Sequence, residues 1–221
     1  MFSIAMVNQK GGAGKTTLGA CLVAIAAAAG EKVLALDLDE QGSLMAWGMR
    51  RKGEGPAFDN LTVEKFPLNR AAELPARLPS IGRQNGFTIA VLDTAGVDSM
   101  AIRLIIPAVD LCLMPARPSR LDLEATMTTF RVVTHFEKRA AFILNQCHPM
   151  PKNSRTSEAT AGLKMLGVLD APTVATRADF QDAMAAGLGV TEYAPEGKAA
   201  AEIAALWSWI NSQRAGVVVN V

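Results

Sequence analysis

The chain has 221 residues, half of them hydrophobic, and a net charge of +1. This length and composition suit one sizeable α/β domain and exclude global disorder. The balanced charge argues neither for nor against binding to nucleic acid. Any basic surface must therefore be a local patch. Three widely spaced cysteines without a C-x-x-C pair argue against a disulfide framework or a zinc site and fit a reducing compartment.

The first predicted elements are an apolar strand over residues 2–7 and a helix over residues 17–29. Between them lies Asn-Gln-Lys-Gly-Gly-Ala-Gly-Lys-Thr-Thr, which is typical of a phosphate-binding loop although Gln9 stands where its first glycine is usual. An ordinary glycine turn is the alternative, and the flanking strand and helix disfavour it. Lys15 is expected to reach the β- and γ-phosphates, and the Thr16 hydroxyl to bind Mg²⁺. The predicted nucleotide-binding residues of the loop are Gly11, Gly12, Ala13, Gly14, Lys15, Thr16 and Thr17.

The second apolar run, residues 32–37, ends in Asp37, and Asp39 follows two residues later. A carboxylate at the end of a strand beside the loop can hold Mg²⁺ through water or orient an attacking water. Asp-x-Asp by itself is also common where a strand simply exits into solvent. Residues 50–86 are less regular and rich in glycine and proline, and we interpret them as a variable insertion with one strand, 61–66, and one helix.

A further apolar strand, residues 87–93, ends in Asp93-Thr94-Ala95-Gly96. It fits a Walker B segment, whose aspartate binds Mg²⁺ directly or through water. The Gly96 amide could contact the γ-phosphate and make the next segment a nucleotide-sensitive switch. A plain turn is the alternative interpretation.

Strands are also predicted over residues 110–114 and 140–145, with a helix over 121–136 that Ser119 caps. This alternation predicts a mostly parallel twisted sheet with helices on both faces. Together with the phosphate-binding loop, it indicates an α/β, single-domain P-loop NTPase over residues 1–221. Asn145 ends the last strand, where it could read a base edge or simply form a turn. Gln146 and His148 stand where a guanine reader has Lys and Asp, so ATP is favoured over GTP.

The last predicted helix, residues 197–213, carries Ile203, Leu206, Trp207 and Ile210 on one stripe and is expected to pack against the sheet. Its few basic residues argue against a membrane-surface helix. An apolar tail, residues 215–221, follows. No secretion signal and no membrane span are expected.

The second lysine of the loop, Lys10, makes it resemble the deviant Walker A motif, K-G-G-x-G-K-[ST], of the ParA/MinD superfamily of P-loop ATPases. The chain looks most like the small ParF-type plasmid partition ATPases of the ParA family. The resemblance implies that Lys10 reaches across a dimer interface to the partner's nucleotide and that Asn145 contacts adenine. It also implies that Asp39 acts on the hydrolytic water, so Lys10, Lys15 and Asp39 are the predicted catalytic residues. The segment at the end of the second predicted strand resembles the D-x-D-P-Q motif of ParA proteins, but Glu40 stands where that motif has proline. The resemblance therefore does not determine the rate of hydrolysis.

The metal ligands are then expected to be Thr16, Asp39 and Asp93. The family further implies a weak basal ATPase that uses ATP/ADP and Mg²⁺, forms an ATP-dependent homodimer and binds non-specific DNA. Arg155, Lys164 and Arg177 are the candidate DNA contacts, although for each residue taken singly a solvated surface is the preferred interpretation. A ParB-type centromere- or cargo-binding partner and a cytoplasmic, nucleoid-associated location are expected, with no membrane.

The implied role is the partition of plasmid or chromosomal DNA. The alternatives are a positioning ATPase for a non-DNA cargo and a MinD-like membrane-associated regulator. A metabolic P-loop ligase and an iron–sulfur reductase find less support, since neither a small-molecule carboxylate site nor suitably placed cysteines stand out.

Overall fold

The computed structural model describes residues 1–54, 59–96, 99–150, 153–166 and 169–215. In these residues one parallel sheet has the strand order β3-β2-β4-β1-β5-β6-β7. The strands are β1 Phe2–Met6, β2 Val33–Asp37, β3 Leu61–Lys65, β4 Ile89–Asp93, β5 Leu111–Ala116, β6 Arg139–Leu144 and β7 Leu169–Asp170.

Helices connect the strands and cover both faces of the sheet, as expected for parallel strands joined by crossovers. The α-helices are α1 Lys15–Ala28, α2 Ser43–Glu54, α3 Leu74–Asn85, α4 Ser99–Ile105, α5 Arg120–His135, α6 Ser154–Met165, α7 Ala178–Ala185, α8 Val190–Tyr193 and α9 Lys198–Ala215. The described residues also include the 3-10 helices Leu68–Glu73 and Ile106–Ala108. The predicted α/β class with a parallel sheet is confirmed.

The two larger hydrophobic clusters of the described residues lie on opposite faces of the sheet, because successive side chains of a strand point to opposite sides. In β1, Ile4 and Met6 belong to the core formed with α1, α2, α7, α8 and α9. The neighbouring Ala5 belongs to the core formed with α3, α4 and α5. The near-continuous apolar runs of the sequence are therefore explained by burial on both faces.

The six strands predicted from apolar runs are all present, with ends displaced by a few residues. The seventh, β7, was not predicted, because two residues are too short to give a pattern. In the 50–86 region the expected strand and helix are present as β3 and α3, and β3 pairs with β2 at the edge of the sheet. Residues 55–58 lie outside the described part.

The predicted Ser119 cap of α5 and the predicted packing of α9 are confirmed. The Ser119 hydroxyl accepts a hydrogen bond from the Asp122 N–H at 3.2 Å, which caps α5. In α9, Ile203, Leu206 and Ile210 are fully buried in the core with α1, so this helix packs on the body of the protein. The tail beyond Ala215 lies outside the described residues.

The position of β1 determines where a site can form. It lies between β4 and β5, and the chain leaves it toward β2 on one side and later reaches β5 on the other. Such a reversal of strand order opens a crevice at the carboxyl ends of the strands, where open α/β sheets bind ligands. The register aligns Met6 with Asp93 and Asp37 with Asp93, so three strand ends are level at this edge.

Candidate functional site

The glycine-rich loop lies between β1 and α1, at the carboxyl edge of the sheet. Gly12 and Gly14 have φ values of 72° and 91°, a left-handed conformation that side chains with a Cβ rarely adopt. Gly14 is also the residue from which α1 starts. The loop thus has the backbone form that turns N–H groups toward an anion at the start of a helix.

The start of the loop is held in place by Asn8, a residue that the sequence analysis did not single out. Its Nδ2 donates to the Pro115 carbonyl at 2.6 Å and to the Thr126 hydroxyl at 2.9 Å. Its Oδ1 accepts from the Lys10 N–H at 3.0 Å. Because Asn8 is fully buried, these bonds fix the entrance of the loop to β5 and α5.

A second anchor holds the exit of the loop. Asn145 Nδ2 donates to the Ala13 carbonyl at 2.8 Å. A Cβ on Gly14 would lie 2.2 Å from the same nitrogen, so only glycine fits there. Asn145 is therefore placed beside the loop as the motif predicts, with its amide nitrogen bound to the backbone. Its contact with adenine remains a prediction.

The two loop lysines lie in different environments. Lys15 is 7 % exposed, and its Nζ donates to the Lys10 carbonyl at 3.4 Å. Burial lowers the pKa of Lys15, against the opposing attraction of Asp93 and Asp39. Lys10 is exposed, and its ammonium has no ion pair within the described residues. Lys15 thus points into the site, whereas Lys10 is available to a partner outside the subunit.

Asp93 is fully buried at the end of β4 and faces the start of α1. Its Oδ2 accepts from the Thr16 hydroxyl at 2.6 Å, while its Oδ1 has no hydrogen-bond partner. Burial raises the pKa of Asp93 to about 7, with repulsion from Asp37 and Asp39 adding to the rise. The Thr16 hydrogen bond and Lys15 oppose it. A buried, unpartnered carboxylate oxygen beside a hydroxyl is a pair of hard oxygen ligands that suits Mg²⁺.

The two aspartates at the carboxyl end of β2, Asp37 within the strand and Asp39 after it, have different surroundings. Asp37 is fully buried, and its carboxylate accepts the N–H of Asp39 at 3.0 Å and of Met45 at 2.9 Å. It therefore fixes the loop that precedes α2. Asp39 is partly exposed, and its Oδ1 accepts the Gln41 N–H at 3.0 Å. Within the described residues no cluster of three or more His, Cys, Asp or Glu is placed to hold a metal ion.

The segment after β4 touches the loop directly. A Cβ on Gly96 would lie 3.2 Å from Gly11 Cα and 3.2 Å from Lys15 Nζ. Any larger residue would therefore displace the loop or the lysine. Residues 97 and 98, where the switch was predicted, lie outside the described part.

Beside the loop is a cleft of about 670 Å³ between the start of α1 and helix α7. Phe180 and Met184 give it an apolar wall, and Gln181 adds a polar group. The size and mixed lining suit the base and sugar of a nucleotide. It is lined by Gly14, Thr16, Thr17, Leu18, Ser43, Arg117, Asn145, Gln146, Ala175, Thr176, Arg177, Phe180, Gln181 and Met184.

The three basic residues expected to contact DNA are not on one surface. Arg177 lines the cleft, and its Nη2 binds Glu202 Oε1 at 2.6 Å with only 19 % of its side chain exposed. This pairing argues against a DNA contact for Arg177. Arg155 and Lys164 are exposed on α6, and their nine-residue spacing places them on roughly opposite sides of that helix.

The loop, Asp39, Asp93 and Asn145 all meet at the carboxyl edge of the sheet, as the sequence analysis expected. None of the described helices is both long and apolar enough to cross a bilayer. The model of the family described as VirC1 protein matches residues 1–207.

The chain belongs to the VirC1 family. This places it in the ParA/MinD superfamily of P-loop ATPases, as the two-lysine loop predicted. The maintenance of carboxysome distribution protein A of Halothiobacillus neapolitanus is 28% identical over 208 residues, covering 91% of this chain and 92% of that protein. Protein virC1 of Rhizobium radiobacter is 33% identical over 127 residues, covering 56% of this chain and 52% of that protein.

A carboxysome distribution protein of Gloeobacter kilaueensis is 35% identical over 127 residues, 57% of this chain. The chain spans about half the length of this relative and of virC1, 54% and 52%. Among solved structures, the MinD cell division protein of Aquifex aeolicus gives a TM-score of 0.80 at 15% identity, covering 96% of this chain and 98% of that one. Apo McdA of Cyanothece gives 0.75 at 18% identity, covering 92% and 98%. These structures share the fold of this VirC1-family chain.

Proposed function

We propose that this VirC1-family chain is an ATPase that positions a large intracellular cargo. It would bind ATP with Mg²⁺ and convert ATP and water to ADP and phosphate. The observation that carries the proposal is the buried ammonium of Lys15, held in a glycine loop that faces the Thr16–Asp93 pair. A desolvated cation beside two hard oxygen ligands suits a metal-bound polyphosphate.

Each residue has a role that follows from its place. Loop N–H groups would cradle the phosphates, and Lys15 would offset the charge that develops on the γ-phosphate. Thr16 and Asp93 would hold Mg²⁺, with Asp39 acting through water. The metal neutralises phosphate charge when it is bound. Asp39, partly exposed at the end of β2, would orient the attacking water.

The exposed Lys10 supports a cycle that uses two subunits. ATP would bring two chains together so that Lys10 of each reaches the other's phosphates. The dimer would bind non-specific DNA through exposed basic residues such as Arg155 or Lys164, which lie on different sides of α6, and this would make it nucleoid-associated. A ParB-type partner bound to the cargo would then raise a weak basal hydrolysis rate and release the dimer.

The proposed cargo is either DNA or a large non-DNA body. Relatives of similar sequence are called carboxysome distribution proteins, virC1 and ParA, so both a DNA cargo and a non-DNA cargo are consistent with the family. We favour DNA, in line with the ParF-type loop and strand motifs. A small basic DNA-binding protein encoded beside this chain's gene would support DNA as the cargo.

Phosphate release measured with ATP, Mg²⁺ and purified protein tests the proposed activity. We expect slow turnover that Lys15→Ala abolishes. Co-sedimentation with duplex DNA and with anionic liposomes then tests location. Binding to DNA with ATP but not with ADP supports the proposal, whereas ATP-dependent binding to liposomes alone would replace it with a MinD-like membrane role.

A further inference from the structure

The carbonyl of Gly12 at the outer edge of the glycine loop accepts two side-chain hydrogen bonds. Arg117 Nη2 donates at 2.8 Å and Gln146 Nε2 at 3.0 Å. The two donors come from different strand ends, after β5 and after β6, and both lie more than 100 residues from Gly12 in the sequence. We propose that Arg117 and Gln146 are positioning residues that hold the phosphate loop in its binding form through this carbonyl.

The backbone geometry explains why the carbonyl matters. In an anion-binding loop the N–H groups converge on the anion, so the carbonyls must face away from it. Gly12 has a left-handed φ of 72°, which a glycine can leave easily because no Cβ restricts it. Two donors on its carbonyl keep the peptide plane turned outward and leave the N–H groups of the loop facing the phosphates.

Gln146 shows strain of the kind that a functional constraint explains. Its φ is 54°, one of two positive values among the described non-glycine residues. Glutamine rarely adopts this conformation, which persists only where the surroundings impose it. Hydrogen bonds from the N–H groups of Asn145 and Cys147 to Ala116 and Val174, at 2.8 and 3.0 Å, fix the backbone on both sides. The strained turn aims the Gln146 amide at Gly12.

Arg117 is exposed and forms no ion pair within the described part of the chain. A surface arginine without a carboxylate partner gains little from being held in place, yet this one lies within 3.0 Å of the position of a Cβ on Gly12. Its hydrogen bond is charge-assisted, which makes it the stronger of the two donors. Pro118 follows directly and restricts the backbone of Arg117 to extended forms.

This inference rests on the proposed nucleotide binding, and titration of ATP and ADP without turnover tests both separately. We expect Arg117→Met and Gln146→Leu each to lower the affinity for ATP and for ADP by the same factor, roughly three- to tenfold. The equal factor follows because loop N–H groups contact the α- and β-phosphates, which ADP also has. Arg117→Lys keeps a donor and should recover most of the affinity. In steady state KM should rise while kcat stays nearly constant.

The double variant provides the sharpest test. Because both side chains act on one carbonyl, each partly replaces the other, and the double variant should bind more weakly than the product of the single effects predicts. Arg120→Met is the matched control, since Arg120 is 90% exposed and paired with Glu124 on the same helix start. Thermal unfolding without nucleotide should be unchanged in all variants.

Other results would overturn the inference. Equal affinity of Arg117→Met and the unaltered protein, the same loss in Arg120→Met, or a loss confined to ATP would each do so. Independent effects in the double variant would point to a direct phosphate contact instead. If the unaltered protein binds neither ATP nor ADP, the proposed function itself fails. That outcome differs from the results above, in which the unaltered protein binds nucleotide and only the variants are compared.

Discussion

Thr16 Oγ1 lies 2.6 Å from Asp93 Oδ2, so the first turn of α1 is hydrogen-bonded to the end of β4. The two residues are 77 positions apart in the sequence, and parallel pairing of β1 with β4 brings them together. The other oxygen of Asp93 is buried without a partner. The protein therefore keeps a destabilising carboxylate at the point where a metal ion would satisfy it.

Replacing Asp93 by Asn should stabilise the nucleotide-free protein at pH 8. Burial raises the pKa of Asp93 from its ordinary 3.8 to about 7, so the folded state holds a proton that the unfolded state has released. Stability of the unaltered protein should fall as the pH rises from about 4 to 7, and Asp93→Asn should remove that fall. We expect a gain on the order of 2 kcal/mol at pH 8, measured by urea unfolding.

Asp37→Asn is the control for that measurement. Asp37 accepts two backbone N–H groups, so its replacement should destabilise the protein at both pH 5 and pH 8. If Asp93→Asn shows the same pH dependence as the unaltered protein, Asp93 is not the group that titrates.

Lys15→Ala should abolish nucleotide binding, because it removes the buried cation that faces the phosphates. Lys10→Ala should instead preserve binding to the monomer and prevent ATP-dependent dimerisation, since Lys10 is exposed on the outer side of the loop. A nucleotide titration and light scattering separate the two effects. Normal dimerisation of Lys10→Ala would show that this lysine does not act across an interface.

Asp39→Ala should bind ATP and Mg²⁺ with little change and hydrolyse ATP slowly, so that the ATP dimer accumulates. The physical reason is the loss of the carboxylate that would orient water. Glu40→Ala is the matched control at the adjacent, exposed position. If turnover falls in Glu40→Ala and not in Asp39→Ala, the catalytic carboxylate is Glu40, the residue that replaces the usual proline.

Charge reversal on α6 should weaken DNA binding in the presence of ATP. Arg155→Glu and Lys164→Glu each remove an exposed cation, and the slope of log affinity against log salt should fall by about 0.9 for each DNA phosphate that is no longer neutralised. Arg83→Glu, on the exposed end of α3, is the control for net charge. Unchanged DNA affinity in both α6 variants would show that DNA binds to another surface of the protein.

Arg177→Glu should behave differently from the two α6 variants. It would place two carboxylates together in the cleft, because Arg177 is paired with Glu202. We expect this variant to weaken nucleotide binding and to lower the midpoint of thermal unfolding, with any effect on DNA following from the loss of nucleotide.

The sequence predicted the sheet because apolar runs of five or six residues mark strands that are buried on both faces. It predicted the loop because glycine, lysine and threonine at fixed spacing meet the needs of a phosphate. The site as a whole was predictable because carboxyl ends of parallel strands share one edge of a sheet.

The contacts that support the loop were not predictable in this way. Asn8, Arg117 and Gln146 act through backbone atoms more than 100 positions away, and no local pattern reveals such pairs. The pairing of Arg177 with Glu202 likewise depends on the placement of α9 beside the cleft. The sequence shows which side chains are charged, whereas only the fold shows which neighbour neutralises each charge.

The three cysteines have a practical consequence for experiments on this protein. Cys21, Cys112 and Cys147 are all buried as thiols, and burial raises their pKa, to about 12 for Cys21 and Cys112. Thiolate is the reactive form, so the native chain should react slowly with maleimides. A single cysteine introduced at exposed Met100 or Met165 could then be labelled selectively with a fluorophore, without first removing the native thiols. Conformational changes of α4 or α6 thus become measurable in an otherwise unaltered molecule.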